Sequence, residues 1–121
     1  MIRHIKRYFA IRSYMHRLSI ELVSRFDKRS YYSVENVTQA VQRGRLSAEF
    51  IAHAHAAYCT QMDFDAYYRP LTVACSYNGL RQKIARRYFS GRSDFDAKTI
   101  ISRFCPTTYH SDTFYESGIG Q

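Results

Sequence analysis

The stretch over residues 3–26 constrains this chain more than any other. Tyr8, Ile11, Met15, Leu18, Leu22 and Phe26 recur at steps of three and four, the spacing that lines one face of an α-helix. At about 100° per residue, Arg3, Lys6, Arg7, Arg17 and Arg25 fall on the opposite face. The spacing therefore predicts one long helix, apolar on one side and basic on the other. Tyr8, Ile11, Met15, Leu18 and Leu22 also fit a heptad seam, but two heptads are too few for a coiled coil. A helix of this length with one apolar stripe must bury it against other elements, and the rest of the chain decides which.

Those other elements read as helices too. Residues 27–32 break the period and form a loop. Ser33 stands where an N-cap oxygen would accept a first-turn N–H, and Val34, Val37 and Val41 share a face behind it. Gly44 is placed to end this second helix in the left-handed conformation. Ser47 caps a third helix by the same logic, with Phe50, Ile51, Ala54, Ala57 and Tyr58 turned inward. Its five alanines favour helix and let neighbours approach closely. Thr60 and Asp63 take the first and fourth places of a capping box, with Asp for the usual Glu, and open a short helix that Pro70 stops. Leu71 to Cys75 is strand-like, but a lone short strand has nothing to pair with, so it reads as loop or short helix. Ser76 or Asn78 caps a fifth helix with Tyr77, Leu80, Ile84 and Tyr88 on one face and Gly91 as its stop. Ser93 and Asp94 open a last helix through Phe95, Ile100, Ile101 and Phe104, closed by Pro106. From Thr107 the period disappears, which predicts a flexible polar tail.

The fold class is thus all-α: a single domain of five to six helices over residues 1–105, with a tail over 106–121. The predicted core holds Ile11, Met15, Leu18, Leu22, Val37, Val41, Ile51, Ala54, Tyr58, Leu80, Ile84 and Tyr88. A chain of 121 residues with 45% apolar side chains can bury such a core without disulfide or metal. Tyrosine is abundant at eleven copies, and its amphipathic ring suits the margins of a small core. Three cysteines, Cys59, Cys75 and Cys105, are odd in number and far apart. They read as thiols in a reducing, cytoplasmic setting. No run approaches the roughly 18 apolar residues of a membrane span. The first 20 residues are Arg-rich and free of acids, as transit peptides are, but the apolar spacing runs on past them and assigns them to the folded helix. A membrane-surface role for that helix would take its stripe out of the core.

Charge is the clearest functional signal. Residues 1–29 carry eight basic and two acidic side chains, +6 of the net +8 of the whole chain. Such an imbalance speaks of partners, not of fold. Phosphates and acidic proteins are both matched by an arginine-rich face. Arg81, Lys83, Arg86 and Arg87 could extend it, although they are scattered around their helix. The pattern predicts a non-enzymatic binding or adaptor protein acting through protein contacts or self-association. Non-specific nucleic-acid binding through Arg3, Lys6, Arg7, Arg17 and Arg25 is the alternative. A helix-turn-helix over residues 33–60 is imaginable, but its reading face would carry Glu49, Ala52, His53 and Ala56, poor in the side chains that read bases.

Catalytic and metal chemistry find little support. His53 and His55 lie two residues apart, so on a helix they point about 200° from each other and flank its inner face. His55 and Cys59 are one turn apart and could share a metal or form a nucleophile–base pair, but zinc needs three or four ligands and no CxxC or HxxxH completes the set. Asp63/Asp65 and Asp94/Asp96 lie at helix starts, where carboxylates favour the positive end of the dipole. No phosphate-cradling loop is present, and no cofactor, metal or catalytic residue is expected.

Arg7-Tyr8-Phe9, Ser30-Tyr31-Tyr32-Ser33, Ala56-Ala57-Tyr58-Cys59 and Arg87-Tyr88-Phe89-Ser90-Gly91, with the polar Gly-containing tail, resemble a family of small uncharacterised bacterial proteins. The resemblance spans most of the chain. It implies a cytoplasmic bacterial protein and transfers no active site, since none of these pieces is a chemical motif.

Overall fold

The computed structural model describes residues 2–73 and 75–110. Six α-helices follow one another, α1 (Ile2–Phe26), α2 (Val34–Arg43), α3 (Ile51–Tyr58), α4 (Gln61–Tyr68), α5 (Tyr77–Tyr88) and α6 (Ala97–Phe104). Single 3₁₀ turns follow α4 at Arg69–Leu71 and α6 at Thr107–Tyr109. There is no strand among the described residues.

The expected stripe carries α1 across the molecule. Met15, Leu18 and Leu22 are fully buried, and the helix packs on α2, α6 and α3. Ile11 and Phe26 extend the stripe at half burial. Helix α3 packs on α2 and α5, and α4 closes the far side against α2, α3 and α5. The main core joins Val37, Val41, Ala54, Tyr58, Ile84, Ile100 and Ile101 to the α1 stripe. A smaller cluster of Ala56, Phe64, Tyr68 and Tyr77 sits where α3, α4 and α5 meet. Ile51, Leu80 and Tyr88 pack at the core edges, not inside them.

Caps set most helix starts as their sequence predicts. Ser33 accepts from the N–H of Asn36, Thr60 from Asp63 and Ser76 from Gly79. Two starts differ. Helix α3 begins after a turn at residues 48–50 and has no side-chain cap; Ser47 instead offers its carbonyl to the Tyr14 hydroxyl. Helix α6 begins at Ala97 because Asp96 and Thr99 form a reciprocal capping box, which leaves Ser93, Asp94 and the buried Phe95 outside the helix.

Gly44 also differs from its expected role. Its φ of −80° is right-handed. The left-handed residue is Arg45, at φ 56°, and the N–H groups of Arg45 and Leu46 close a Schellman motif on Gln42 and Val41. Glycine stands at 44 for space: a Cβ there would lie 3.0 Å from Cγ of Glu21 on α1 and 3.1 Å from the Ala40 carbonyl oxygen.

The tyrosines are not confined to the margins. Tyr14, Tyr32, Tyr58, Tyr68 and Tyr77 are buried, and each hydroxyl finds a partner. Tyr14 donates to Ser47 O, Tyr32 to Asp27 O, Tyr58 to Tyr14 O and Tyr77 to Cys59 O, while Tyr68 bonds His55. Each ring thus fills core volume and satisfies a group that would otherwise be stranded away from water. Burial in turn raises the Tyr14 and Tyr32 hydroxyls to about 12. The segment expected to be a free tail from Thr107 makes one more ordered turn, and His110 is buried with its Nε2 at 3.1 Å from Cys105 O. The rest of the expected tail, residues 111–121, lies outside the described residues.

Candidate partner-binding surface on the first and fifth helices

The basic face of α1 is divided among different tasks. Arg3 pairs with Glu49 at 2.8 Å and lies over the Phe50 ring. Arg25 pairs with Glu21 one turn away at 3.0 Å. Arg17 donates to the Gly44 carbonyl at 3.0 Å and so pins the end of α2. Lys6 stands in solvent. Arg7 turns toward α5, where it meets Lys83 and Arg87.

That meeting forms a groove of about 380 Å³ lined by His4, Arg7, Tyr8, Ile11, Lys83 and Arg87. It lies at the N-terminal end of the core-facing stripe of α1, so apolar Ile11 and the Tyr8 ring form part of its wall. Arg87 is held with its guanidinium 3.9 Å from the centre of the Tyr8 ring, a cation–π arrangement that limits its freedom. Arg7 donates to His4 Nδ1 at 2.8 Å. Because arginine only donates, Nδ1 is the acceptor and the neutral ring carries its hydrogen on Nε2. No carboxylate lines the groove. Nearby His53 is buried, its Nδ1 bonded to Phe50 O and its Nε2 without a partner. Burial lowers the His53 pKa, opposed by the bond to Phe50 O and helped by the charges of Lys83 and Arg7.

About 140° around the same turns of α1, and joined to the groove only where the Tyr8 and Phe9 rings meet edge to face at 5.1 Å, lies a second apolar stripe. Ile2, Ile5 and Phe9 are 71%, 56% and 53% exposed and follow one another at steps of three and four, so they share one side of the helix. Arg3, Lys6 and Arg12 flank them.

The remaining candidates are structural. His53 and His55, expected to flank the inner face of their helix as surface or partly buried side chains, are both buried. The two nitrogens of His55 are taken by the Thr38 hydroxyl at 2.9 Å and the Tyr68 hydroxyl at 2.6 Å, so either tautomer is satisfied. Burial lowers its pKa to about 4, against a small opposing effect of Glu35, far below the range useful to a general base near neutrality. Burial also pushes the Cys59 thiol up to about 12, which keeps it from the thiolate form a nucleophile or metal ligand needs. His55 gives both ring nitrogens to Thr38 and Tyr68 rather than to the Cys59 thiol one turn away. Among the described residues, no cluster of three or more His, Cys, Asp or Glu is arranged to hold a metal, and no helix is long and apolar enough to cross a membrane. Helix α3, the imagined reading helix, has six of its eight residues buried and leaves no face for a nucleic-acid groove.

Arg81, counted by sequence with the basic surface, is instead 5% exposed. Its guanidinium donates to Ala56 O at 2.9 Å, Ala57 O at 3.4 Å, Ser93 O at 3.0 Å and Phe95 O. It is stacked 4.0 Å from the centre of the Phe95 ring. Ala56 and Ala57 belong to the last turn of α3, where helix carbonyls point outward and attract a cation. The arginine so ties α3 to the segment ahead of α6 without any carboxylate.

Fold and surface define a small all-helical protein with a cationic, partly apolar face on its first helix. The chain belongs to a family of unknown function, DUF6559, whose profile matches residues 1–119. Neither a curated protein nor a solved structure matches it.

Proposed function

We propose that this protein is a non-enzymatic binding protein whose first helix docks an acidic segment of a partner protein. The observation that carries this reading is the carboxylate-free groove of Arg7, Lys83 and Arg87, whose Tyr8 wall meets the ring of Phe9 in the exposed stripe of Ile2, Ile5 and Phe9. A segment that crosses over α1 at Tyr8 and Phe9, with acidic side chains toward the groove and apolar ones toward the stripe, complements both. A second copy of the chain complements neither groove nor flanks, since its own face is equally basic. Nucleic acid is the weaker fit, because affinity for a phosphate backbone grows with the number of phosphates contacted, and Arg3, Arg17 and Arg25 are already engaged within the molecule. The three cysteines form no disulfide among the described residues, which fits the bacterial cytoplasm as its place of action.

Fluorescence anisotropy with two labelled probes tests this: a peptide alternating Glu with Leu and Phe at helical spacing, and a random DNA duplex. The expected result is saturable peptide binding that Lys83→Gln and Phe9→Ser each weaken, with weaker binding of the duplex. Duplex binding that exceeds peptide binding and falls steeply with salt would turn the reading to nucleic acid. No peptide binding at low salt would remove it.

A further inference from the structure

We infer that the groove between α1 and α5 is a pocket for a phosphomonoester dianion, presented by a phosphorylated side chain of the partner. This rests on the reading above that α1 receives an anionic protein segment. The charge count comes first: Arg7, Lys83 and Arg87 bring three formal positive charges to one groove, and no lining side chain is acidic. A single carboxylate would leave two of them unbalanced, whereas a phosphomonoester carries close to two negative charges at neutral pH and three acceptor oxygens. Hydrogen-bonding capacity points the same way. The polar lining is a set of donors: two guanidinium forks, an ammonium, the His4 Nε2–H fixed by the Arg7 bond, and the Tyr8 hydroxyl. Guanidinium forks match phosphate oxygens in pairs. Stacking on Tyr8 holds Arg87 in place before a ligand arrives, which reduces the ordering cost of binding. Finally, Ile11 and the Tyr8 ring give the groove an apolar wall, and the Tyr8 ring also meets Phe9, so a phosphorylated residue anchors a segment whose apolar neighbour reaches Phe9.

The test uses the full chain, ¹⁵N-labelled, titrated at constant ionic strength and pH 7.5 with methyl phosphate, dimethyl phosphate or acetate. Methyl phosphate is expected to shift the signals of residues 4–11 and 83–87 saturably, with at least about tenfold higher affinity than either monoanion. Lys83→Gln combined with Arg87→Gln should abolish the response; Arg43→Gln, outside the groove, should preserve it, and an unchanged spectrum elsewhere certifies the fold of each variant. Equal affinity for the three anions, no saturable shift, or shifts centred away from these residues would overturn the inference. The Glu-rich peptide separates the two claims. If it binds while methyl phosphate does not, the phosphate pocket fails and the acidic-partner reading stands. If methyl phosphate binds in the groove while neither that peptide nor its phosphoserine counterpart binds more tightly than methyl phosphate, the protein partner fails.

Discussion

Acidification should destabilise this protein well before its carboxylates titrate, and His55 is the main cause. Its side chain is 1% exposed, and both ring nitrogens are engaged by Thr38 and Tyr68. Burial holds its folded-state pKa at about 4 against 6.5 in the open chain. Between these values the unfolded chain takes up a proton that the folded one refuses, so stability rises with pH there and is lost as pH falls. The full contribution is present above pH 6.5. The pKa difference is worth about 3 kcal/mol over the whole window, and about 2 kcal/mol of it is gone by pH 5. His53, lowered by burial in the same direction, adds to the slope. Urea unfolding at 25 °C between pH 7.5 and 5 measures this directly. The variant His55→Gln keeps an acceptor and a donor but cannot titrate in this range. It should start less stable at pH 7.5 and lose about 2 kcal/mol less than the parent on going to pH 5. Parallel curves for the parent and His55→Gln would refute the reasoning, because the buried ring would then not be the group that resists protonation.

Removing the Arg81 guanidinium strands carbonyls of α3 and of the segment before α6; Arg81→Met should cost about 3–5 kcal/mol in the same unfolding assay, while Arg86→Met on the exposed side of α5 should change it by less than about 0.5 kcal/mol. The end of α2 predicts two effects of opposite sign. Gly44→Ala crowds Glu21 and Ala40 O and should destabilise by about 1 kcal/mol, whereas Arg45→Gly relieves a left-handed side chain and should be neutral or stabilising by up to about 1 kcal/mol; thermal denaturation of the two variants checks the signs. Alkylation with iodoacetamide followed by mass spectrometry should label the half-buried Cys75 first, and label the buried Cys59 only when urea opens the fold.

Periodicity made the scaffold legible in the sequence. Met15, Leu18 and Leu22 repeat at a helical step, and Ser33, Thr60 and Ser76 announce helix starts through local chemistry that needs no distant partner. What was illegible depends on partners far along the chain. Arg81 looks like any surface arginine until α3 and the residues before α6 surround it with carbonyls. Tyr14 lies on the side of α1 that carries arginines, and only contact with Ser47 and Tyr58 explains its burial. His55 is a boundary residue by spacing, yet Thr38 and Tyr68 give it two hydrogen bonds that make a fully buried site tolerable. The candidate surface was half visible. Arg7, Lys83 and Arg87 stand out as charges, but their convergence is tertiary, and the sequestration of Arg3, Arg17 and Arg25 by Glu49, Gly44 and Glu21 is equally so. Ile2, Ile5 and Phe9 carry a readable helical step; the stronger stripe through Leu18 and Leu22 obscured it, and nothing local says that their side of the helix stays uncovered.

The most direct test of the account is a charge swap on the groove. Lys83→Glu with Arg87→Glu reverses two positions on the outer side of α5 and can be compared with the parent by anisotropy, using the Glu-containing amphipathic peptide and a matched peptide with Lys at every Glu. The variant should lose at least about tenfold in affinity for the acidic peptide and gain affinity for the basic one. Unchanged binding of the acidic peptide by the folded variant would contradict the account, and would place the partner surface elsewhere on the molecule.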